Sequence, residues 1–182
     1  MDYIVLRNDN IKAGCITFDS DNSHAFQHEQ AYCLLDSMLN DFYGIDIKKL
    51  HIKKSVYGKP YFADCDIYFN VSHCKGMAVC AISKEYSLGI DAEYVRNYKE
   101  NVAIRIMNEE ELALLGNSGG SKEIFFNIWT AKESLVKMSG IGITRELNET
   151  NTINNPHIVR RYEHEYNDRL YIITVAADKF GG

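Results

Sequence analysis

The stretch Phe125–Lys137, FFNIWTAKESLVK, constrains the fold more than any other. It holds neither Gly nor Pro and carries Ala, Leu, Lys and Glu, so it predicts a helix. Ser121 stands where an N-cap belongs, and Gly140 where a helix stops. Trp129, Lys132, Glu133 and Lys137 fall at spacings of three, four and four, which places them along one side of that helix. A row of that mixture is unusual for a buried stripe. It suits the wall of a cleft, where the Trp packs and the charged heads meet a ligand. The alternative is a surface helix with a Glu133/Lys137 ion pair, a contact that stabilises by about 0.2–0.5 kcal/mol.

With 182 residues, 46% hydrophobic and 25% charged, the chain fits one globular unit or two small lobes. No run approaches the ~18 apolar residues of a membrane span, so none is expected. The start, MDYIVLRNDN, lacks a basic segment followed by a long apolar run, so no signal peptide is expected. Cys15, Cys33, Cys65, Cys74 and Cys80 are odd in number and form no C-x-x-C pair. Reduced thiols in a cytoplasm fit them better than a disulfide framework or a zinc site. A net charge of −5 argues against a general nucleic-acid binder. An anionic ligand must therefore be met by a local basic patch.

Met1–Leu6 reads as a strand, Ile11–Phe18 as a second short strand or extended segment, and Asp19–Ser23 as a turn. His24–Tyr43 places apolar residues at helical spacing and ends at Gly44. Lys48–Lys54 alternates basic and apolar residues, as an exposed strand does. Tyr57-Gly58-Lys59-Pro60 is a turn signal. Ile67–Val71, Met77–Ser83 and Leu88–Glu93 are three short strands joined by polar turns, which predicts an antiparallel meander. Asn108 caps a second helix with three acids in its first turn. Ile141-Gly142-Ile143 leads out of the Phe125 helix. Two strands, Ile158–Tyr166 and Leu170–Ala176, close the chain around Asn167-Asp168. The class is α+β with mainly antiparallel sheets. Each half offers helix and sheet, which suits two similar lobes, residues 1–87 and 88–182.

Asp91 and Glu93 lie two apart on one strand and so share a face. Gly89, without a side chain, would let a ligand approach the backbone. An Asp/Glu pair with a third carboxylate, such as Glu133, is an oxygen-ligand set suited to Mg²⁺. A solvated strand face is the alternative. Ser72 and His73 end a strand with a hydroxyl, an imidazole and free turn amides, a set able to hold a phosphate or simply to satisfy a turn carbonyl. Lys59 sits in a tight turn between Gly58 and Pro60, better placed for a fixed anion than a lysine on a mobile loop.

In order, Tyr57-Gly58-Lys59-Pro60, Phe69-Asn70-Val71-Ser72-His73, Gly89-Ile90-Asp91-Ala92-Glu93 and Trp129-Thr130-Ala131-Lys132-Glu133 with Lys137 resemble the 4′-phosphopantetheinyl transferases of the surfactin-type (Sfp-like) class. The match runs from Tyr57 to Lys137; the flanks agree only in pattern. The resemblance implies a cytoplasmic monomer, a pseudo-dimer of two similar α+β lobes with coenzyme A between them. It implies transfer of phosphopantetheine to a serine of an acyl or peptidyl carrier protein, with release of 3′,5′-ADP. It further implies Asp91, Glu93 and Glu133 on Mg²⁺ (or Mn²⁺), and Lys137 near the reacting phosphate. Lys59, Pro60, Ser72, His73 and Lys132 would contact coenzyme A. Either Glu133 or a metal-bound water would take the serine proton.

One departure stands out. Similar enzymes carry basic residues around the start of the first long helix, where the 3′-phosphate binds. Asp19–Tyr32 has no Lys or Arg and offers His24, His28 and Gln27 instead. The chain is also shorter than expected of the class. A docking patch for an acidic carrier is expected in Tyr94–Met107, which mixes Arg96, Lys99 and Arg105 with apolar residues. Two rivals are a non-catalytic carrier-protein or coenzyme A binding module and an unrelated Mg²⁺-dependent phosphoryl-transfer enzyme. The first does not need three carboxylates on a metal. The second would want a Walker-type glycine loop or a base-flanked nucleophile, and the sequence shows neither.

Overall fold

The computed structural model describes residues 2–4, 10–19, 23–142 and 147–179. In chain order the elements are β1 (Asp2–Ile4), β2 (Ile11–Thr17), α1 (His24–Tyr43), β3 (Ile52–Lys54), β4 (Pro60–Phe62), β5 (Tyr68–Cys74) and β6 (Met77–Ser83). Then follow β7 (Tyr86–Tyr94), α2 (Glu100–Ile106), α3 (Glu109–Asn117), α4 (Lys122–Ser139), β8 (Ile158–Tyr166) and β9 (Arg169–Lys179). Of the segments expected from sequence, residues 1, 5–6, 20–22 and 143 lie outside the described residues.

The helices begin and end where their caps are. Ser23 accepts from the Phe26 amide and Gly44 closes α1 in the left-handed region. Asn108 and Glu111 form a reciprocal capping box on α3. Ser121 and Gly140 bound α4 as the sequence predicts. Asn167 and Asp168, both at positive φ (48° and 56°), turn β8 into β9 in the manner of a tight two-residue hairpin.

Three antiparallel sheets result, ordered β1-β2-β6-β5, β3-β4 and β7-β9-β8. The predicted meander is not formed. β5 and β6 pair, but β7 leaves them and pairs with β9 from Tyr86↔Lys179 to Tyr94↔Tyr171. The turn between β6 and β7 is fixed by Ser83, whose hydroxyl accepts from the amides of Glu85 and Tyr86 and donates to the Asn10 carbonyl.

The alternation of β7 explains where it goes. Leu88, Ile90 and Ala92 face inward and join Ala13, Met77, Val79 and Val175 in one core between the two larger sheets. On the far side of the first sheet, Leu34, Leu35, Met38 and Leu39 of α1 pack on Phe69, Cys80 and Ile82. On the far side of the second, α4 packs on β9 through Ile172 and Ala176. The layers therefore run helix, sheet, sheet, helix, and β6, covered on both faces, is buried throughout. The predicted α+β class with antiparallel sheets stands. No helix among the described residues is long and apolar enough to cross a membrane.

The opposite face of β7, carrying Gly89, Asp91 and Glu93, turns toward α4. A Cβ on Gly89 would lie 1.8 Å from the Ser134 carbonyl oxygen and 2.6 Å from the Met138 nitrogen. The residue that approaches this glycine is thus helix backbone, not a ligand as the sequence suggested. That contact sets α4 directly over the acids of β7.

Candidate active site

β5 and β7 are edge strands of different sheets, and they lie against each other. Asn70 ties them, its side-chain oxygen accepting from the Ile90 amide at 2.8 Å. Two residues on, Ser72 donates to Asp91 Oδ1 at 2.8 Å. Lys137 reaches across from α4 and donates to the same oxygen at 2.7 Å and to Ser72 Oγ at 2.8 Å. Asp91 is 5% exposed, and its second oxygen is buried with no hydrogen-bond partner. Lys137 therefore pairs with Asp91, rather than with Glu133 as on an isolated surface helix.

Glu133 sits one helical turn before Lys137. Burial pushes its carboxyl up, Asp91 and Glu93 push the same way, and Lys137 opposes them. Glu93 is also pushed up by burial, against the pull of Arg96, which holds it at 2.7 Å. The Trp129 indole donates to its other oxygen at 3.3 Å. Trp129, Glu133 and Lys137 thus share one face, as their spacing predicts.

Lys132 does not share it, and its expected role in binding coenzyme A is corrected here. One residue from Glu133 is about 100° around the helix, and Lys132 points into the protein. It is fully buried, 2.6 Å from Glu111, and donates to the carbonyls of Leu147 and Thr150.

A cleft of about 530 Å³ opens beside the Asp91–Lys137 pair. β5 contributes Ser72 and His73, α4 contributes Val136 and Lys137, and α1 contributes His28 and Tyr32. The β3–β4 hairpin adds Lys54, Tyr57, Lys59 and Pro60. Of the residues nominated from sequence, Lys59, Pro60, Ser72, His73, Asp91 and Lys137 line it; Glu93 and Glu133 stand behind. Three imidazoles meet at the α1 side. The His73 ring lies 4.8 Å from that of His24 and 6.1 Å from that of His28, and its Nδ1 is 3.3 Å from Gln27 Oε1. Burial first, then His24, His28 and Lys137, pull His73 below its ordinary value.

Arg96, expected on a docking surface, lines a small pocket with Tyr98, Lys99 and Trp129 and also reaches back to the acids of β7. Its guanidinium lies 4.6 Å from the Tyr94 ring centre and 4.8 Å from that of Phe126 while holding Glu93. The i, i+3 spacing from Glu93 was the signal available. Lys54 and Tyr32 carried no such signal. Lys59 lines the cleft, but its ammonium is held by protein acceptors.

Residues 87–176, which include β7, α4 and β9, match the family model of the 4′-phosphopantetheinyl transferase superfamily. Over this segment the chain is similar to that superfamily. It is 34% identical over 117 residues to the 4′-phosphopantetheinyl transferase gsp of Aneurinibacillus migulanus, covering 63% of this chain and 48% of that protein. It is 32% identical over 120 residues to HetI of Nostoc sp., covering 62% and 51%. It is 28% identical over 117 residues to Sfp of Bacillus subtilis, covering 63% and 52%. The chain spans about half the length of these relatives.

Among the described residues no three of His, Cys, Asp and Glu form a preassembled metal-binding group. The acids are matched by Lys137 and Arg96 instead. The donor set nevertheless suits a hard divalent cation. Asp91 keeps a buried oxygen without a partner, and Glu93 and Glu133 both feel its charge.

Proposed function

We propose that this chain transfers 4′-phosphopantetheine from coenzyme A to a serine of an acyl or peptidyl carrier protein, releasing 3′,5′-ADP. The observation that carries the reading is the meeting of Asp91, Ser72 and Lys137 on one wall of a 530 Å³ cleft, with Glu133 and Glu93 behind. The names of the relatives support it.

In this reading coenzyme A lies in the cleft with its 3′-phosphate toward His73, His24 and His28. The serine oxygen attacks the phosphorus bearing the pantetheine arm. The bond from that phosphorus to the bridging oxygen of the pyrophosphate breaks, and the electron pair leaves with 3′,5′-ADP. Lys137 meets the charge that develops, and Ser72 holds it in place. Glu133, its carboxyl raised by burial and by two neighbouring acids, is suited to accept the serine proton. Asp91 and Glu93 would hold Mg²⁺, with Glu133 as their third carboxylate where it is not the base, and the ion would supply charge neutralisation at the pyrophosphate. The carrier would approach over the segment after β7, where Tyr98, Lys99, Val102 and Trp129 line a small pocket of about 160 Å³.

The reading takes the two sheet-and-helix halves, divided near the start of β7, as two lobes of one cytoplasmic monomer. β7 itself begins at Tyr86, two residues before the expected division at residue 88.

The test is incubation with coenzyme A, Mg²⁺ and an apo carrier protein, read by mass. The carrier should gain one phosphopantetheine, and excess EDTA should abolish the gain. Lys137→Ala should lower kcat by about 10²–10³ with a smaller change in KM for coenzyme A. Unmodified carrier across a panel of acyl and peptidyl carriers would overturn the proposal.

A further inference from the structure

Lys59 closes the β3–β4 turn just before Pro60, yet its ammonium does not reach into the cleft. The turn itself is firm. Ser55 and Lys59 pair through their backbones at 2.9 Å, Gly58 donates to the Ser55 carbonyl at 2.9 Å, and the Ser55 hydroxyl accepts from the amides of Tyr57 and Lys59. From this turn the Lys59 side chain crosses to the other half of the protein. Its Nζ donates to the Leu88 carbonyl of β7 at 2.9 Å and to the Met138 carbonyl of α4 at 2.9 Å. A third contact is with the Ser87 hydroxyl at 3.3 Å. An ammonium has three protons, and here each faces a protein acceptor.

Met138 lies in the last turn of α4, where carbonyls lack helical partners and the helix dipole favours a cation. Ser87 Oγ donates to the same carbonyl at 2.8 Å. The stem of Lys59 lies against Gly140, where an added Cβ would stand 3.0 Å from Lys59 Cδ. Burial pulls the amine down to about 8, so at neutral pH it remains mostly protonated and all three donors are available. The neighbour of Met138 is Lys137, whose own amine holds Asp91 and Ser72.

We infer that Lys59 is a positioning residue: it clamps the β3–β4 hairpin onto the C-terminal end of α4, fixing one cleft wall and the base of Lys137, and does not itself hold the phosphates of the substrate. The effect on turnover rests on the transferase reading; the clamp does not. Without it the hairpin, which has one sheet partner on each strand and exposed Ile52, Val56, Tyr57 and Tyr61, would be held to β7 and α4 far more loosely.

The test is amide hydrogen exchange on the full chain without substrate, beside steady-state kinetics. Lys59→Met keeps the stem and removes the donors. The amides of Ser55, Gly58, Lys59 and Gly140 should exchange at least about tenfold faster, while β9 stays unchanged. Lys59→Arg should not restore protection, because a planar guanidinium does not fit between two carbonyls and a hydroxyl beside Gly140. Ser87→Ala, a milder change that removes one partner, should speed the same amides to a smaller degree and decides the matter if Lys59→Met does not fold. In the active enzyme, Lys59→Met should lower kcat together with raising KM for coenzyme A, and Lys59→Arg should do the same. Wild-type exchange at these amides in a folded Lys59→Met or Ser87→Ala protein would overturn the clamp. So would full rescue of KM by Lys59→Arg, the mark of a phosphate ligand. An inactive wild-type protein would sink the transferase reading and leave the exchange result standing.

Discussion

Replacing Lys132 by Met separates the role its sequence motif suggested from the role its surroundings dictate. Both members of the Lys132–Glu111 pair have fully buried side chains, 2.6 Å apart. Burial pulls the Lys132 amine down, while the hydrogen bond and charge of Glu111 pull it up. Glu111 also accepts from the Asn108 amide at 3.1 Å, from the Thr152 amide at 2.9 Å and from the Thr152 hydroxyl at 2.7 Å. Lys132 in turn closes the carbonyls of Leu147 and Thr150. The pair thus joins α3, α4 and the segment from Leu147 to Thr152. Met fills the volume but leaves a buried carboxylate short of its cation, a change that costs about 3–5 kcal/mol. At about 2–4 °C per kcal/mol for a chain of this size, the midpoint of thermal unfolding should fall by about 6–20 °C. Adding Glu111→Gln removes the stranded charge and should recover part of the loss, giving a coupling energy in the double-mutant cycle. Calorimetric unfolding measures the shift, and titration with coenzyme A at a temperature where the variant is folded measures affinity. A variant with the wild-type midpoint and weakened coenzyme A binding would refute this reasoning and return Lys132 to the cleft.

Two further outcomes follow from the same geometry. Gly89→Ala drives a methyl into the backbone of α4, where no side chain can yield, so urea unfolding should show a loss of about 3 kcal/mol or more; a wild-type midpoint would show that α4 does not bear on β7. The histidine cluster should make coenzyme A binding depend on pH. His73 is held below 6.5 in the free protein, and a dianionic phosphate favours its charged form, so binding takes up protons. The advantage of coenzyme A over dephospho-coenzyme A should be largest near pH 6 and shrink toward pH 8. A His24→Ala/His28→Ala double variant should flatten that slope, and identical curves would exclude both residues. The stability effect has the opposite dependence: a histidine with a depressed folded value contributes fully above the unfolded value of 6.5 and destabilises the fold as pH falls below it.

What the sequence made legible were features decided within a few residues. α3 and α4 announce their starts in Asn108 and Ser121, and α1 and α4 their ends in Gly44 and Gly140, so those bounds could be read locally. Asp91 and Glu93 share a face because strand period alone requires it. The partner of β7 was not legible. Its neighbour in sequence is β6, and only the choice of sheet, set by the turn at Ser83 and by the apolar face of Leu88, Ile90 and Ala92, sends it to β9. Lys132 was misplaced for a related reason: a spacing of three from Trp129 looks like one face, but the residue next to Glu133 is a sixth or more of a turn beyond the row that faces β7.

The site itself is a consequence of that unread pairing. Had β7 stayed beside β6, its Asp91 face and the outer face of β5 would have belonged to one sheet, and the edges that now meet through Asn70 and Ile90 would not exist. By moving to β9, β7 becomes an edge strand in its own sheet. Gly89 then lets α4 settle against it, which brings Lys137 within 2.7 Å of Asp91 and Glu133 to the same side. The lysine that secures the end of α4 comes from the other half of the chain, through Lys59. A cleft lined by α1, the hairpin, β5, β7 and α4 therefore depends on the packing of two sheets against each other. Mutations in the Met77, Val79, Leu88 and Ile90 core between those sheets should change its geometry before they touch any residue within it.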